Sequence, residues 1–281
     1  MAKLREQSSI PAILLNVFFI ALCLVVIFPF VVFILSSFKP GQDLLRNGLS
    51  LVIDRDRLTL NNYIFLFSGQ HRYFLWFKNS FVLAILQVCL TLLICYVVAY
   101  GLAMYQFKLR YLLFFLVIAT MMVPFEILML PLYVLVTNLG LIDTMAGVVV
   151  PGLAAAGTIF FFRQYMIGMP MELLDAGRID GANEYRIAFT IMMPLAKPAF
   201  AAMGIMCAMG SWNNMLWPLL IFRDQDKFTL PIGLNTLLTP YQNNYDMLFA
   251  GSVFSIIPIV IVFLMFQRYF LEGLTVGSLK G

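Results

Sequence analysis

Six long apolar runs constrain the fold of this 281-residue chain more than any other feature of its sequence. They lie at about 12–35, 81–104, 111–136, 146–162, 199–222 and 247–266. A helix of roughly 20 apolar residues crosses the hydrocarbon core of a bilayer, at about 1.5 Å per residue. The runs do not alternate apolar and polar residues, which favours helices over barrel strands. We therefore predict an all-α integral membrane protein with six transmembrane helices, forming one domain over 1–281.

The composition supports this interpretation and excludes several classes of protein. Hydrophobic residues make up 62% of the chain and charged residues 11%, whereas a soluble domain is about one quarter charged. We therefore expect membrane lipid as the surroundings and no nucleic-acid partner, because nucleic-acid binding requires a dense basic surface. All four cysteines lie in apolar runs, which argues against a disulfide framework. With only His71 available, we expect no metal site built on several histidines.

The loops predict which side of the membrane each segment faces. An even number of spans puts both termini on one side, and basic residues concentrate in cytoplasmic loops. Lys3 and Arg5 precede the first run, and the short loop before Tyr111 contains Lys108 and Arg110 without an acid. We therefore predict cytoplasmic termini and two large external segments, 36–80 and 223–246. The first run is too long for the apolar part of a signal peptide.

A polar segment at 163–198 is predicted to be cytoplasmic and to contain two short helices. Pro170 suits the first turn of a helix, and Glu172 follows where the helix dipole favours an anion. Gly181 is the predicted stop of this first helix, because glycine turns into the left-handed region without a steric penalty. Asn183 is a predicted cap for a second helix through Phe189.

The first of these helices is expected to be amphipathic. Leu173, Ala176 and Gly177 are spaced to share one small apolar face, while Asp175 and Arg178 point elsewhere. The element could simply shield the bundle at the membrane surface, or its apolar face could dock into a groove on a partner protein. Its acids make lipid binding less expected. Pro194 is predicted to break the chain before the fifth run.

The same segment resembles a known signature. Asp175, Ala176 and Gly177 are followed by Gly181 after three residues, and by Ile191, Met193 and Pro194 after nine more. This pattern is similar to the loop of ABC-importer permeases written Glu-Ala-Ala, three residues, Gly, nine residues, Ile, one residue, Leu, Pro. Every spacing matches. Three residue types differ, and Gly177 in place of alanine is expected to weaken the first helix by about 1 kcal/mol.

The resemblance continues along nearly the whole chain. Matching stretches include Asn79-Ser80, Leu141 to Thr144, Trp212 to Asn214, Leu216 to Pro218 and the tail from Gln267. Together they are similar to the second permease of carbohydrate importers, the maltose-permease type, which implies a type I ABC-importer permease fold. Several stretches resemble the glycerol-3-phosphate branch, which implies sn-glycerol-3-phosphate and related diesters as solutes. A sugar or oligosaccharide permease of the same family is the alternative.

In that family, two permease chains form the pathway, two ATPase subunits bind from the cytoplasm, and a periplasmic binding protein delivers the solute. The resemblance therefore implies a bacterial inner-membrane location and these partners. The implied ATPase-coupling residues are Glu172, Leu173, Leu174, Asp175, Ala176, Gly177, Asp180, Gly181 and Ala182. The loop from Pro231 to Tyr245 would meet the binding protein, and the tail after Phe270 would reach the ATPases. The chain has no glycine-rich phosphate loop, so we expect no cofactor on it, with ATP and Mg²⁺ used by the partner subunits.

A few polar side chains inside the runs are candidates for lining the pathway. Glu126 is the one charged residue in the six runs, and it either lines a cavity or faces the bundle. Asn213 and Asn214, beside Trp212 and Trp217, either bind a polyol or join helices. Since no lysine or arginine lies within a run, an anionic solute would have to be recognised elsewhere, for example at Arg163 or Lys78.

Two other classes of protein compete with an importer permease. A membrane enzyme that modifies lipids would require clustered acids, histidines or metal ligands at the interface. A secondary transporter would be expected to show more spans, inverted repeats or paired intramembrane charges. Neither set of features is present in the sequence.

Overall fold

The computed structural model describes residues 10–43, 48, 58–68, 72–238 and 244–275, with side chains described from 13 to 267 within these ranges. Lys3, Arg5, His71 and the end of the tail lie outside the described residues. The chain divides into two compact units, Met1–His71 with Thr236–Phe254, and Arg72–Asn235 with Ser255–Gly281.

The described residues form helices and no β-strand. The helices are α1 (Ile10–Ser37), α2 (Asn61–Phe67), α3 (Tyr73–Met104), α4 (Arg110–Met121), α5 (Phe125–Asn138), α6 (Met145–Val149), α7 (Ala156–Ile167), α8 (Glu172–Ile179), α9 (Glu184–Leu195), α10 (Lys197–Asn213), α11 (Leu216–Ile221), α12 (Leu230–Asn235) and α13 (Tyr245–Thr275). This confirms the predicted fold class.

Three described helices, α1, α3 and α13, are each long and apolar enough to cross a membrane. Three further candidates are pairs of helices joined by sharp bends: 103° between α4 and α5, 45° between the α6 segment and α7, and 77° between α9 and α10. By length and composition the number of spans is therefore three, or six if each bent pair crosses once. The six predicted runs correspond to six spans only with that second count.

The third and fifth predicted runs are interrupted helices. In the third run, α4 and α5 are separated at Pro124, which is itself extended (ψ 136°). Proline also disfavours a helical conformation in the residue before it, here Val123, so α4 ends before this point. In the fifth run, α10 ends at Asn213 and Asn214 is extended (ψ 117°), so that α11 starts a new helix. Hydrophobicity alone does not distinguish a continuous helix from two helices of the same total length.

The first unit is held together by polar contacts at the end of α1. The amide of Asn62 on α2 donates hydrogen bonds to the carbonyls of Ser37 and Lys39, both at 2.8 Å. The hydroxyls of Ser37 and Tyr63 lie 2.6 Å apart. The bond to Ser37 occupies a carbonyl that the last turn of α1 leaves without an intrahelical partner, and the bond to Lys39 holds the residues that follow the helix.

In the second unit, α3 packs against α7 and α10. The aromatic rings of Tyr96 on α3, Phe162 on α7 and Phe200 on α10 meet in the buried core, with centroid distances of 4.7 to 6.0 Å. The Tyr96 hydroxyl donates a 2.6 Å hydrogen bond to the carbonyl of Ala188, within the π-helical turn of α9. The core therefore extends from the membrane helices to the segment that contains α8 and α9.

The opposite end of α3 binds the loop that follows α11. The Asn79 amide donates to the carbonyls of Asp226 and Phe228, at 2.8 and 3.0 Å, and the Trp76 indole donates to Gln225 at 3.2 Å. The amide of Leu230 donates to the Ser80 hydroxyl at 2.7 Å. These bonds fix the loop backbone on the first turns of α3.

Asp143 secures the same loop from its other side. Its backbone has φ +61°, and its carboxylate accepts hydrogen bonds from the amides of Arg223 and Asp224 and from the Lys227 ammonium, the last at 2.6 Å. The hydrogen bond from Lys227 is the largest influence on the carboxyl, and it lowers the pKa of Asp143 to about 2. The loop between α11 and α12 is thus held from two directions.

Gly233 on α12 provides a test of this packing. A Cβ atom at position 233 would overlap the indole of Trp76, whereas a Cβ at Gly210 on α10 would meet no atom within 4 Å. We predict that Gly233→Ala destabilises the chain by about 1–3 kcal/mol, the usual range for overpacking. Gly210→Ala is the matched control and is expected to be neutral or slightly stabilising. The melting temperatures of the two variants in detergent test this prediction. Equal melting temperatures would contradict the close approach of Gly233 to the Trp76 indole.

Candidate functional site

The α8 segment begins and ends much as the sequence predicts. The helix starts at Glu172, two residues after Pro170, with Glu172 and Asp175 in its first turn. Gly181 has φ +76°, and the amides of Gly181 and Ala182 bond back to the carbonyls of Arg178 and Gly177 at 3.0 Å. This is the arrangement of a glycine C-cap, in which one left-handed residue reverses the chain.

The second helix of the segment is longer than predicted. The Asn183 side chain accepts a 2.8 Å hydrogen bond from the amide of Arg186, as expected for a cap. The helix then continues beyond Phe189 to Leu195 and includes the π-helical turn Ile187–Met192. Pro194 lies inside it, and the bend comes at Ala196. Proline has no N–H to donate, and a wider helical turn before it accommodates that loss.

The buried face of α8 differs from the predicted one. Leu174 and Gly177 face inward, and Leu174 is fully buried. Leu173, by contrast, is 37% exposed and Ala176 is exposed as well. The predicted grouping of Leu173, Ala176 and Gly177 on one face is therefore wrong: the inward face consists of Leu174 and Gly177, three residues apart, because Gly177 packs against Ile187 and Ile191 of α9.

Gly177 allows α8 to lie close to α9. A Cβ at this position would lie 3.0 Å from Ile191 Cδ1 and 3.1 Å from Ile187 Cγ1, closer than ordinary side-chain contacts. The glycine that differs from the family signature thus has a packing role, because it lets two helices approach. The closer contact between α8 and α9 offsets the cost in helix propensity expected for Gly177.

Charged side chains join α8 to α9 and to the end of α3. The Arg178 guanidinium donates to Glu184 at 2.8 Å and lies 3.5 Å from Asp175. The Tyr105 hydroxyl donates to the other oxygen of Glu184 at 2.5 Å. Arg178, and after it Tyr105, holds the pKa of Glu184 below its ordinary value. The sequence gives no sign of the Tyr105 contact, because it joins residues 79 positions apart.

The outer surface of the segment is apolar where a soluble protein would be polar. Ile179 is 86% exposed and Tyr185 is 79% exposed, beside the exposed carboxylates of Asp175 and Asp180. Large exposed apolar residues surrounded by charge are typical of a surface that binds another protein.

The polar residues predicted to line a pathway have different surroundings. Glu126 is exposed in the first turn of α5, where a helix N-terminus favours an anion, so it does not face the interior of the bundle. Asn213 is exposed and donates to its own helix at Met209, while Asn214 lies half-buried in the break. No cluster of His, Cys, Asp or Glu suited to a metal ion occurs among the described residues.

The two tryptophans of that prediction are engaged in helix packing. Trp212 and Trp217 are buried, and their indoles donate to the carbonyls of Ser255 and Gly147, each at 3.2 Å. Arg163, a candidate for recognising an anionic solute, is only 6% exposed and stacks on Phe114, 3.6 Å from the ring centroid. Lys78 is exposed.

Comparison with known proteins identifies the family. A family model described as "Binding-protein-dependent transport system inner membrane component" matches residues 96–276. The chain belongs to this family. It is therefore a permease of the ABC-importer type, and the predicted fold and family are confirmed.

Individual permeases cover the whole chain. The arabinooligosaccharide transport permeases of Bacillus subtilis (strain 168) and Halalkalibacterium halodurans are 50% and 51% identical, over 100% and 99% of both chains. The sn-glycerol-3-phosphate transport permease of Brucella abortus (strain 2308) is 32% identical over 96% of this chain and 98% of its own. The solved structure of a bacterial ABC transporter that imports the acidic polysaccharide alginate shares the fold, with a TM-score of 0.81, 23% identity and coverage of 96% and 100%.

These identities do not support the expectation of sn-glycerol-3-phosphate. The permeases named for arabinooligosaccharides share about half of their residues with this chain, against about one third for the glycerol-3-phosphate permeases. The buried position of Arg163 also leaves it unsuited to binding an anionic solute.

The ion pair between α8 and α9 predicts a pH dependence of stability. Because the pKa of Glu184 is lowered, the pair stabilises the fold above the ordinary value of 4.5 and loses this contribution as the pH falls through the lowered pKa. We expect the melting temperature of the wild type to fall more steeply than that of Glu184→Gln as the pH is lowered from about 5 to about 3, by a small margin because the pair is exposed. Glu172→Gln is the control and should follow the wild type. Identical slopes for the wild type and Glu184→Gln would contradict the pairing.

Proposed function

We propose that this chain is the permease subunit of an ATP-driven importer for oligosaccharides or sugars, of the arabino-oligosaccharide class. It would form half of the pathway, with a second, homologous permease forming the other half. The high identity over full length to permeases named for arabinooligosaccharides supports the solute class. The permease named for lactose in Rhizobium radiobacter, 33% identical over 90% of this chain and 91% of its own, is also a sugar permease.

The observation that carries the coupling role is the geometry of α8. One side of the helix is fixed in the protein by Leu174, Gly177 and the Arg178–Glu184 ion pair, while the other presents Ile179 and carboxylates outward. A helix that is rigidly seated and apolar outside fits a groove on a partner, and the charges set its register. The partner in this proposal is an ATPase subunit.

In this proposal some of the predicted contact residues anchor α8 to the protein, and the others form the surface that contacts the ATPase. Leu174 and Gly177 anchor the helix, and Gly181 with Ala182 reverses the chain. The contact surface itself consists of Leu173, Ala176, Ile179 and Asp180, with Glu172 and Asp175 beside them. ATP and Mg²⁺ would be bound by the two ATPase subunits, and no cofactor by this chain.

The orientation in the membrane follows from that contact. With α8 facing the ATPases, both termini are cytoplasmic and the loop from Pro231 to Tyr245 is on the periplasmic side of the inner membrane, where a solute-binding protein would dock. The hydrogen bonds to α3 and Asp143 hold the loop that precedes this segment, of which residues 239–243 lie outside the described residues.

A neutral solute is consistent with the polar groups available for a pathway. Glu126, Asn213 and Asn214 present polar atoms outside the core, and hydroxyl-rich sugars both donate to carboxylates and accept from amides. A carboxylate would instead repel a phosphate ester. These three residues are the proposed pathway-lining set within this chain, and Trp212 and Trp217 orient the helices behind them.

Uptake measurements test the function. In cells that express the complete importer as their sole route of uptake, we predict accumulation of a labelled arabino-oligosaccharide and none of sn-glycerol-3-phosphate. Gly181→Val should reduce uptake at least tenfold, because φ +76° strains a β-branched residue although a Cβ there meets no atom. Gly168→Ala, on the other side of α8, has an ordinary φ and should retain uptake.

The outcomes separate the parts of the proposal. Uptake of glycerol-3-phosphate without uptake of the oligosaccharide would overturn the solute class. Normal uptake in Gly181→Val, with the protein present in the membrane at wild-type amount, would overturn the coupling role of the α8 segment.

A further inference from the structure

Two arginines bind adjacent carbonyls at the end of α3. The Arg163 Nε–H donates to the carbonyl of Leu102 at 3.4 Å, and an Nη–H of Arg110 donates to the carbonyl of Ala103 at 3.3 Å. Both carbonyls belong to the last turn of the helix, which leaves them without intrahelical donors. Because the acceptors are consecutive in the chain, the two guanidinium groups lie close together.

Capping α3 explains the hydrogen bonds of this arginine pair but not its charge. A helix C-terminus carries about half a negative charge, whereas the pair carries two positive ones. Neither arginine has a carboxylate within ion-pair distance among the described residues, and the Nε–H of Arg110 is enclosed without an acceptor. The site therefore has a surplus of positive charge and at least one unused donor.

An apolar groove begins beside this pair. It has a volume of about 500 Å³ and lies between α3, α4 and α7, with Leu102, Phe107 and Leu113 at the arginine end and Thr120 and Ala154 at the far end. From Leu113 to Thr120 the groove follows α4 for about 10 Å, at 1.5 Å per residue. Leu102 both lines this groove and accepts the Arg163 hydrogen bond through its carbonyl, so the arginine pair lies next to one end of the groove.

The surroundings of the mouth indicate the level of lipid headgroups. Tyr111 is 76% exposed next to Arg110, whose guanidinium carbon lies 5.8 Å from the Tyr111 ring centroid. Exposed tyrosines and arginines at the ends of apolar helices are characteristic of the membrane–water interface. From this level the groove runs along the surface of α4, past Leu116, whose side chain is 50% exposed.

We propose that this groove binds an anionic phospholipid, with one acyl chain between α3, α4 and α7 and the headgroup phosphate paired with Arg110 beside Arg163. A zwitterionic lipid fits less well, because the cationic end of its headgroup would lie near the two guanidinium groups. The lipid would supply the missing negative charge at the end of α3. None of the groove's lining residues belongs to the proposed pathway-lining set of Glu126, Asn213 and Asn214.

Gly101 allows the groove to be filled without disturbing the fold. It lines the groove on α3, and a Cβ there would meet no atom within 4 Å. Gly101→Leu places a side chain where the acyl chain would lie, while leucine is a better helix former than glycine. This variant changes the groove and leaves both arginines in place.

Native mass spectrometry of the importer purified with its partner subunits tests the proposal. After exchange against excess phosphatidylcholine, we expect the wild type to retain phosphatidylglycerol. Retention should fall at least fivefold in Arg110→Gln and in Gly101→Leu. Lys108→Gln removes an exposed charge from the same loop and should retain the lipid as the wild type does.

Four results would overturn the proposal. These are equal retention of the two phospholipids by the wild type, equal loss in Lys108→Gln and Arg110→Gln, full retention in Gly101→Leu, or displacement of the lipid by inorganic phosphate alone. Loss of a partner subunit from Arg110→Gln, without any bound phosphatidylglycerol in the wild type, would instead assign Arg110 to a protein carboxylate. If Arg110→Gln fails to fold, Gly101→Leu still decides the question.

Discussion

Side chains of α3 provide the hydrogen bonds on which the second unit depends. An unpaired backbone carbonyl is costly within a bilayer, and three pairs of helices that could each form one span are bent by more than 40°. Side chains of α3 donate to carbonyls of three other segments: the Cys95 thiol to Leu153 and Ala155 between the α6 segment and α7, the Tyr96 hydroxyl to Ala188 within α9, and the Asn79 amide to the loop after α11. One continuous helix thus holds three other segments of the unit in place by hydrogen bonds.

The same helix links the proposed contact surface to the membrane helices. Gly177 lets α8 pack closely against α9, and α9 is joined to α3 by the Tyr96–Ala188 hydrogen bond. Glu184 adds a second link, to Tyr105 just beyond the end of α3. Under the proposed function, closure of the ATPase dimer would act on α8, and these contacts would carry the movement to α9 and the end of α3.

Features set by residues close together in the chain could be predicted from the sequence, whereas features set by contacts between distant residues could not. The glycine stop at Gly181 and the cap at Asn183 are local, so the chain sequence predicts them correctly. The inward face of α8 depends on contacts with Ile187 and Ile191, which an eight-residue helix does not reveal by periodicity. The breaks near Pro124 and Asn214 divide runs whose hydrophobicity is uninterrupted, and the Tyr105–Glu184 bond joins distant segments. The proposed solute class rests on comparison with relatives, because few polar groups of this chain are placed to specify a solute.

Site-specific photo-crosslinking measures the central contact directly. A photoreactive amino acid at position 179 of the assembled importer should crosslink to an ATPase subunit, with a yield that changes when ATP is added, because Ile179 is 86% exposed on the outer face of α8. The same probe at position 246, in the first turn of α13, should give no ATPase adduct, since the proposed topology places it on the other side of the membrane. Crosslinks to the ATPase from position 246, or none from position 179 in an active importer, would contradict the account.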